Sequence, residues 1–442
     1  MSLGPEPVAK RPAPREEPSL PWAPAGQRVG RLKAAVLRER VLSICLAIVA
    51  LHVAVVAVLF PGGASGPVRV AALLCAVLGL PSLLLWLVSP SRVARALAVG
   101  VIGLGATVAG LATNVPHAAL TGASGSDFTG IVATAAGAVL VGLAFREAVR
   151  GGRIVAKIIF GTLGVLVIAQ WLILPAVDVG LITNAPRPPA AGAATLGYAG
   201  ARDVSFRASD GVRLAGWYVP GRNGAAVILL HGSHGTRSDT LAHLRLLAAA
   251  GYGVLAIDAR GHGQSAGETN ALGWNGARDI AGAVTFLAHQ PGINPHRIAA
   301  LGLSIGAEEA LRAAATGVPL SAIIADGAGA STLGDDQVIS HGRRPVFTSV
   351  TWLTMRGAEL VSGDSEPTPL KQIVGLIRVP VLLIASNANG ERAIDQAYQD
   401  RIGPRASLWY LPDTAHTAGL STHPVQYAAH ALAFLAKAVR RR

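Results

Sequence analysis

Charge and cysteine are both scarce in this chain. Only 14% of its 442 residues are charged while 51% are hydrophobic, against about 25% charged in ordinary soluble domains. That shortage leans away from an ordinary cytosolic enzyme. Two cysteines, Cys45 and Cys75, exclude a disulfide framework and a thiolate zinc site together. Acidic residues are also few, 25 against 38 lysines and arginines, for a net charge of +13. A basic balance of that size raises the question of nucleic acid, and its distribution answers it. Residues 1–189 carry 16 basic and 7 acidic groups, residues 190–442 carry 22 and 18. The excess sits with the hydrophobic half, where basic residues orient membrane spans, and no RRM, KH or zinc-finger signature is present. No nucleic-acid partner is expected.

What is abundant is long apolar sequence. Residues 1–36 read as a disordered Pro- and Arg-rich tail. Five stretches follow in a region of 37–180: Val41–Phe60, Val70–Val88, Ala96–Val115, Phe128–Phe145 and Ile158–Val177. Each approaches the ~20 residues that a helix needs to cross ~30 Å of hydrocarbon, and none shows the polar stripe of a soluble core helix. The fourth is the weakest, because Gly130, Ala133, Ala135, Ala136 and Gly137 dilute its hydrophobicity; small residues at such spacing suit helix packing in lipid. His52 and Gln170 are polar side chains well inside spans, expected to hydrogen-bond between helices. The basic residues alternate between loops: eight in the tail, Arg92 and Arg95 in the second loop, and Arg146, Arg150, Arg153 and Lys157 in the fourth. The tail and those two loops are therefore expected in the cytoplasm. Five spans place everything after Val177 outside the cytoplasm, in an integral protein of the cell membrane. Four would place it inside.

A Pro-rich linker, 181–195, leads to a different kind of sequence. From 196 to 442, short β-branched runs alternate with Ala- and Leu-rich helical patterns. The runs are Val204–Ala208, Val212–Val219, Ala226–Leu230, Val254–Asp258, Ile298–Leu301, Ala322–Ala325, Val379–Ile384 and Leu408–Leu411. Nearly continuous apolar strands between helices predict a mostly parallel sheet buried on both faces, an α/β fold, opened by an antiparallel hairpin around Ser209-Asp210-Gly211. In such sheets chemistry gathers beyond the carboxyl ends of the strands.

At one of those ends stands Gly302-Leu303-Ser304-Ile305-Gly306, between an apolar strand and a helical pattern. This G-x-S-x-G spacing suits a nucleophile on a sharp, strained turn whose neighbours must be small. Ser304 is the candidate nucleophile. A serine needs a base, and His416, in Pro412-Asp413-Thr414-Ala415-His416 after the last strand, is placed to be one. His423 and His341 are weaker candidates. The acid should follow Val379–Ile384, where Asn389 occupies the place expected of an aspartate. Glu391 is the first choice, with Asp326 and Asp395 as alternatives. The oxyanion hole calls for two backbone N–H groups: Ile305 supplies one, and Ser233 (with His234 second) the other. His231 and His234 have the spacing of metal ligands but no acidic or thiol companion, so neither a metal nor a cofactor is expected.

Together His231-Gly232, the run Asp258-Ala-Arg-Gly-His-Gly-Gln-Ser265, Gly302-Leu-Ser-Ile-Gly306 and His416 resemble the α/β-hydrolase superfamily, in particular bacterial serine hydrolases related to monoacylglycerol lipases, serine aminopeptidases and dienelactone-hydrolase-like esterases. The resemblance covers about residues 195–442 and none of the apolar half. It implies an eight-stranded sheet, a short lid at about 327–377, a structural rather than catalytic role for His262, and an ester, thioester or amide substrate, small or lipid-like, cleaved through an acyl-enzyme. Acyl transfer by the same three residues, and a non-catalytic binding domain, remain the alternatives, the latter because of Asn389.

Overall fold

The structure, a computed structural model, describes residues 25–59, 79, 81, 82, 84, 88–120, 125–148, 150, 161, 163–185, 187–267, 271–339 and 345–440. It divides into two compact units, Met1–Ile44 and Cys45–Arg442.

Three helical segments among the described residues are long and apolar enough to cross a membrane: Arg92–Leu120, Asp127–Ala148 and Leu163–Thr183. They overlie the third, fourth and fifth of the five expected spans. The first expected span, up to Leu59, lies in the 35-residue helix Ala25–Leu59; that helix begins within the stretch 1–36 expected to be disordered, where residues 25–36 continue the helical run that leads into the span, and residues 1–24 lie outside the described residues. The second span falls mostly outside them too. The small residues of the fourth span meet those of the third. A Cβ on Gly103 would lie 2.6 Å from Gly137 O, and one on Gly137 would lie 2.6 Å from Gly103 O, so the two backbones touch, as small-residue packing in lipid allows. His52 Nδ1 lies 3.2 Å from Thr129 Oγ1, a bond between two helices.

The C-terminal half is built on one sheet of eight strands: β1 Arg202–Arg207, β2 Arg213–Val219, β3 Ala226–Leu230, β4 Gly253–Ile257, β5 Ile298–Leu303, β6 Ile323–Asp326, β7 Val381–Ser386 and β8 Ala406–Leu411. Their order is β1-β2-β4-β3-β5-β6-β7-β8. The hairpin β1–β2 and the β2–β4 pair are antiparallel, and every other pair is parallel. This is the α/β-hydrolase fold. Every residue of β3, β4, β5 and β7 is buried, as a sheet covered on both faces requires. Helices Leu241–Ala249 and Pro424–Arg440 cover one face through Leu244, Leu247, Tyr427 and Leu435. Helices Gly276–Ala288, Ile305–Ala315 and Glu391–Ile402 cover the other through Ile280, Leu311, Ile394 and Tyr398.

The run after β4 is a polar knot. Asp258, fully buried, accepts Arg237 N–H at 2.8 Å, Arg237 Nη1 at 3.1 Å and Gln264 N–H at 2.9 Å. Ser265 Oγ donates to Asp258 O at 2.6 Å and accepts Ala215 N–H at 2.9 Å. His262 is buried within this turn, and burial pushes its imidazole down to about 3. Between β6 and β7 the insertion contains helices Leu333–Ile339 and Pro345–Ser362; His341 lies outside the described residues.

Candidate active site

The bend at Ser304 follows from what surrounds it. Ser304 adopts φ 55°, ψ −119°, a conformation that L-residues avoid and that functional turns sustain at a cost of about 1–3 kcal/mol. The surrounding structure holds it there. Ser304 N–H donates to Asp326 O at 2.8 Å, and Ser304 O accepts Ala307 N–H at 2.9 Å. Its glycines are obligatory by contact: a Cβ on Gly302 would stand 2.1 Å from Gly306 O, and one on Gly306 would stand 2.7 Å from His231 O. The helix Ile305–Ala315 begins at the next residue, so its N-terminal dipole points at the hydroxyl.

Two further elements bring side chains to that hydroxyl. His416 sits between β8 and the final helices, and its Nε2 lies 2.9 Å from Ser304 Oγ. Its Nδ1 lies 2.6 Å from Glu391 Oε1. Glu391 opens the helix Glu391–Ile402 after two residues in left-handed conformations, Asn389 at φ 52° and Gly390 at φ 75°. Those two reverse the chain after β7 and turn the next side chain, not Asn389, toward the imidazole. Glu391 is 1% exposed, and its Oε2 accepts Ser386 N–H at 2.7 Å. Burial works against its charge, but the bonds from His416 and Ser386 outweigh it and hold the carboxyl below its ordinary value. In turn, the bond to Glu391 lifts the His416 imidazole above its ordinary value, against burial. The hydrogen bonds assign the tautomer: Nδ1–H donates to Glu391, leaving Nε2 to accept from Ser304 O–H.

The alternative acids lie elsewhere. Asp326 ends β6 and is 3% exposed, but its Oδ2 accepts the Tyr427 hydroxyl at 2.7 Å and no bond joins it to His416. Burial pushes its carboxyl up to about 7, over the opposing Tyr427 bond. Asp395 lies on the helix one turn beyond Glu391, fully buried, with no partner for either oxygen among the described residues. Burial, then the charges of Glu391, Asp326 and Glu308, raise its carboxyl well above its ordinary value. Glu308 completes this buried group, with Oε2 accepting Ser331 N–H at 2.9 Å and burial raising it to about 7. His423 is bonded to Asp413 at 3.1 Å instead.

On the other side of Ser304 lies the loop after β3. A Cβ on Gly232 would come 3.2 Å from Ser304 Cβ, so glycine is what lets this loop approach. Ser233 follows, and His234 takes φ 58°. The N–H groups of Ser233 and Ile305 have no acceptor among the described residues. A cavity of about 540 Å³ opens here, lined by Gly232, Ser233, His243, Leu303, Thr417 and Leu420 among others. His231 is turned away. Its Nδ1 donates to Gly232 O at 2.8 Å and its Nε2 accepts Ala259 N–H at 3.1 Å, which uses both ring nitrogens within the fold. His243, the Asp326–Tyr427 bond and the complete burial of Asp395 carry no sequence signal: each depends on which distant helix covers which strand end.

An α/β-hydrolase sheet with a serine, a histidine and a carboxylate in one hydrogen-bonded line defines the class of site. Comparison with known proteins adds similarities. Residues 210–396, which contain Ser304 and Glu391 and stop short of His416, match the model of the X-Pro dipeptidyl-peptidase (S15) family. An uncharacterised protein of Mycobacterium tuberculosis is 30% identical over 199 residues, 42% of this chain and 62% of that protein. The chain thus spans less than two thirds of that relative. A polyketide transferase of Stachybotrys chlorohalonatus is 35% identical over 127 residues, 28% of this chain and 43% of its own. Among solved structures, an esterase of Pyrococcus furiosus is 24% identical with a TM-score of 0.48, over 58% of this chain and 98% of that one.

Proposed function

We propose that the chain is a membrane-anchored serine hydrolase that cleaves carboxylic esters through an acyl-enzyme, with Ser304, His416 and Glu391 as its triad. The unbroken line from Glu391 through His416 to the Ser304 hydroxyl carries this reading. Ser304 Oγ attacks the ester carbonyl while His416 Nε2 takes its proton, and the carbonyl π pair moves onto oxygen. The N–H groups of Ser233 and Ile305 receive that oxyanion, each donor of this kind lowering the barrier by about 3–4 kcal/mol. Collapse expels the alcohol, which leaves with the proton from His416. Water then repeats the sequence, with His416 as base, and releases the acid. Glu391 holds Nδ1–H and stabilises the imidazolium, as triad acids do without taking up the proton themselves. The same three groups serve an amide, and the S15 family match over residues 210–396 favours that as the second reading.

Fluorophosphonate labelling tests the site: the wild-type chain should label, and Ser304→Ala should not. Equal labelling of both would overturn the assignment. Turnover of aryl esters against X-Pro dipeptide amides then decides between the two substrates. With five spans, the positive-inside pattern favours a hydrolase half outside the cytoplasm; a reporter that is active only outside, fused at the C-terminus, should then be active, and a silent fusion would reverse the orientation.

A further inference from the structure

One helix of the hydrolase half packs alongside a helix suited to a bilayer. Trp171 Nε1 donates to Ser349 Oγ at 2.8 Å. Eight residues further along both helices, a Cβ on Gly357 would stand 2.5 Å from Val179 Cγ2. Equal increments mean that Pro345–Ser362 and Leu163–Thr183 run parallel, side by side, for about 12 Å at ~1.5 Å per residue. Val361 extends the contact into a cluster with Ala112, Ala176 and Val179.

The charges fix a height. Positions 345–355 contain no charged residue. Within the helix the first charge is Arg356, paired with Glu359 at 2.5 Å and with Glu366; Arg343 and Arg344 precede the helix in sequence and lie outside the described residues. By the same offset Arg356 stands level with Asp178, the acidic residue of the neighbouring helix and the first residue past the expected span Ile158–Val177. Toward their C-terminal ends both helices thus meet charge at one level, as a boundary between hydrocarbon and headgroups requires. Trp352, 52% exposed, lies one turn to the apolar side of that level, at the depth where indole rings accumulate. From there an apolar wall leads inward. Met355 and Ala358 meet Trp274, with Ile182 and Leu272 packed beside them, and Ile182 and Leu272 in turn share a small void with Ile305 and Ser233, next to Ser304.

We propose that helix Pro345–Ser362 is immersed in the bilayer leaflet next to the hydrolase domain, with Trp352 in lipid, and that the ester substrate is a membrane-resident one whose acyl chain reaches Ser304 along the seam between this helix and Leu163–Thr183. The substrate clause rests on the serine-hydrolase reading; the lipid contact does not. In the full chain reconstituted in phosphatidylcholine nanodiscs, a nitroxide on Trp352→Cys should be relaxed more by oxygen than by a water-soluble nickel chelate. The same label on Val425→Cys, at an exposed site of the hydrolase domain, should show the reverse. Nickel dominance at 352 overturns the lipid contact. Trp352→Asp should then lower turnover of a long-chain ester dissolved in the nanodisc about tenfold, since a carboxylate in hydrocarbon is costly. Turnover of a soluble acetate ester and fluorophosphonate labelling should not change. An unchanged long-chain rate, or an equal loss on both esters, overturns the substrate route. Absence of labelling in the wild type would sink the hydrolase reading and the route with it, and leave the lipid contact to be judged by the nitroxide.

Discussion

Glu391→Gln is nearly isosteric, and the structure predicts that it disables the site through a tautomer. Ser386 N–H points at Oε2, so the one amide oxygen of glutamine must stay there and its NH2 must face His416. Two donors cannot share a 2.6 Å contact. The imidazole then presents Nδ1 as an acceptor and carries its proton on Nε2, where it can no longer accept from Ser304. In a Ser–His–acid triad that exchange costs about 10⁴ in kcat, about 5.5 kcal/mol of barrier. The imidazole also loses the bond that lifts its affinity for protons, so the acid limb of the kcat/KM profile, which reports a free His416, should move to lower pH. Steady-state hydrolysis of an aryl ester from pH 5 to 9 measures both effects. A rate within tenfold of wild type, or an acid limb that stays put, would refute the tautomer argument and return Asp326 and Asp395 to consideration.

Other expectations follow from the same contacts. Asp326 is an ordinary carboxylate when unfolded but titrates near 7 in the fold, so the folded state loses stability as pH rises between those values. Asp326→Asn should flatten that part of the melting-temperature profile of the detergent-solubilised chain, and an unchanged slope would count against a buried protonated Asp326. Asp258→Ala leaves Arg237, 1% exposed, with only the exposed Asp203 at 3.9 Å as a carboxylate partner; stranding one member of a buried pair costs about 3–5 kcal/mol, visible as a shifted denaturation midpoint. Gly302→Ala should yield no folded hydrolase domain, since its methyl would meet backbone on every approach; normal fluorophosphonate labelling would contradict this. Gly137→Leu should separate helices Arg92–Ala112 and Gly125–Ala148 and lower thermal stability in detergent without altering the intrinsic labelling rate of Ser304.

The sheet was legible because local pattern decides it. Ala226–Leu230 is an apolar run between turn residues and becomes β3 with the same ends. Where strands shifted, as with Ile298–Leu301 extending to Leu303, the polar-looking Gly302 is carried by its neighbours' ladder. Residues 302–306 could be read because sterics restrict a tight bend to glycine. The line from Ser304 to Glu391 was harder to see, since the side chain that faces His416 depends on the left-handed pair Asn389 and Gly390, and asparagine at φ 52° is not dictated by composition. Not legible at all was the packing of Pro345–Ser362 against Leu163–Thr183. Nothing local relates Gly357 to Val179; that proximity arises from how two distant segments share one surface.

Tyr427 belongs to the last helix of the chain, yet its hydroxyl grips the carboxyl of the residue whose carbonyl steadies Ser304. The seventeen-residue helix Pro424–Arg440 is thus a strut under Ser304 and not a dispensable tail. A chain cut after Thr422 would keep Ser304, His416 and Glu391 in its covalent structure and still let the bend beneath them sag.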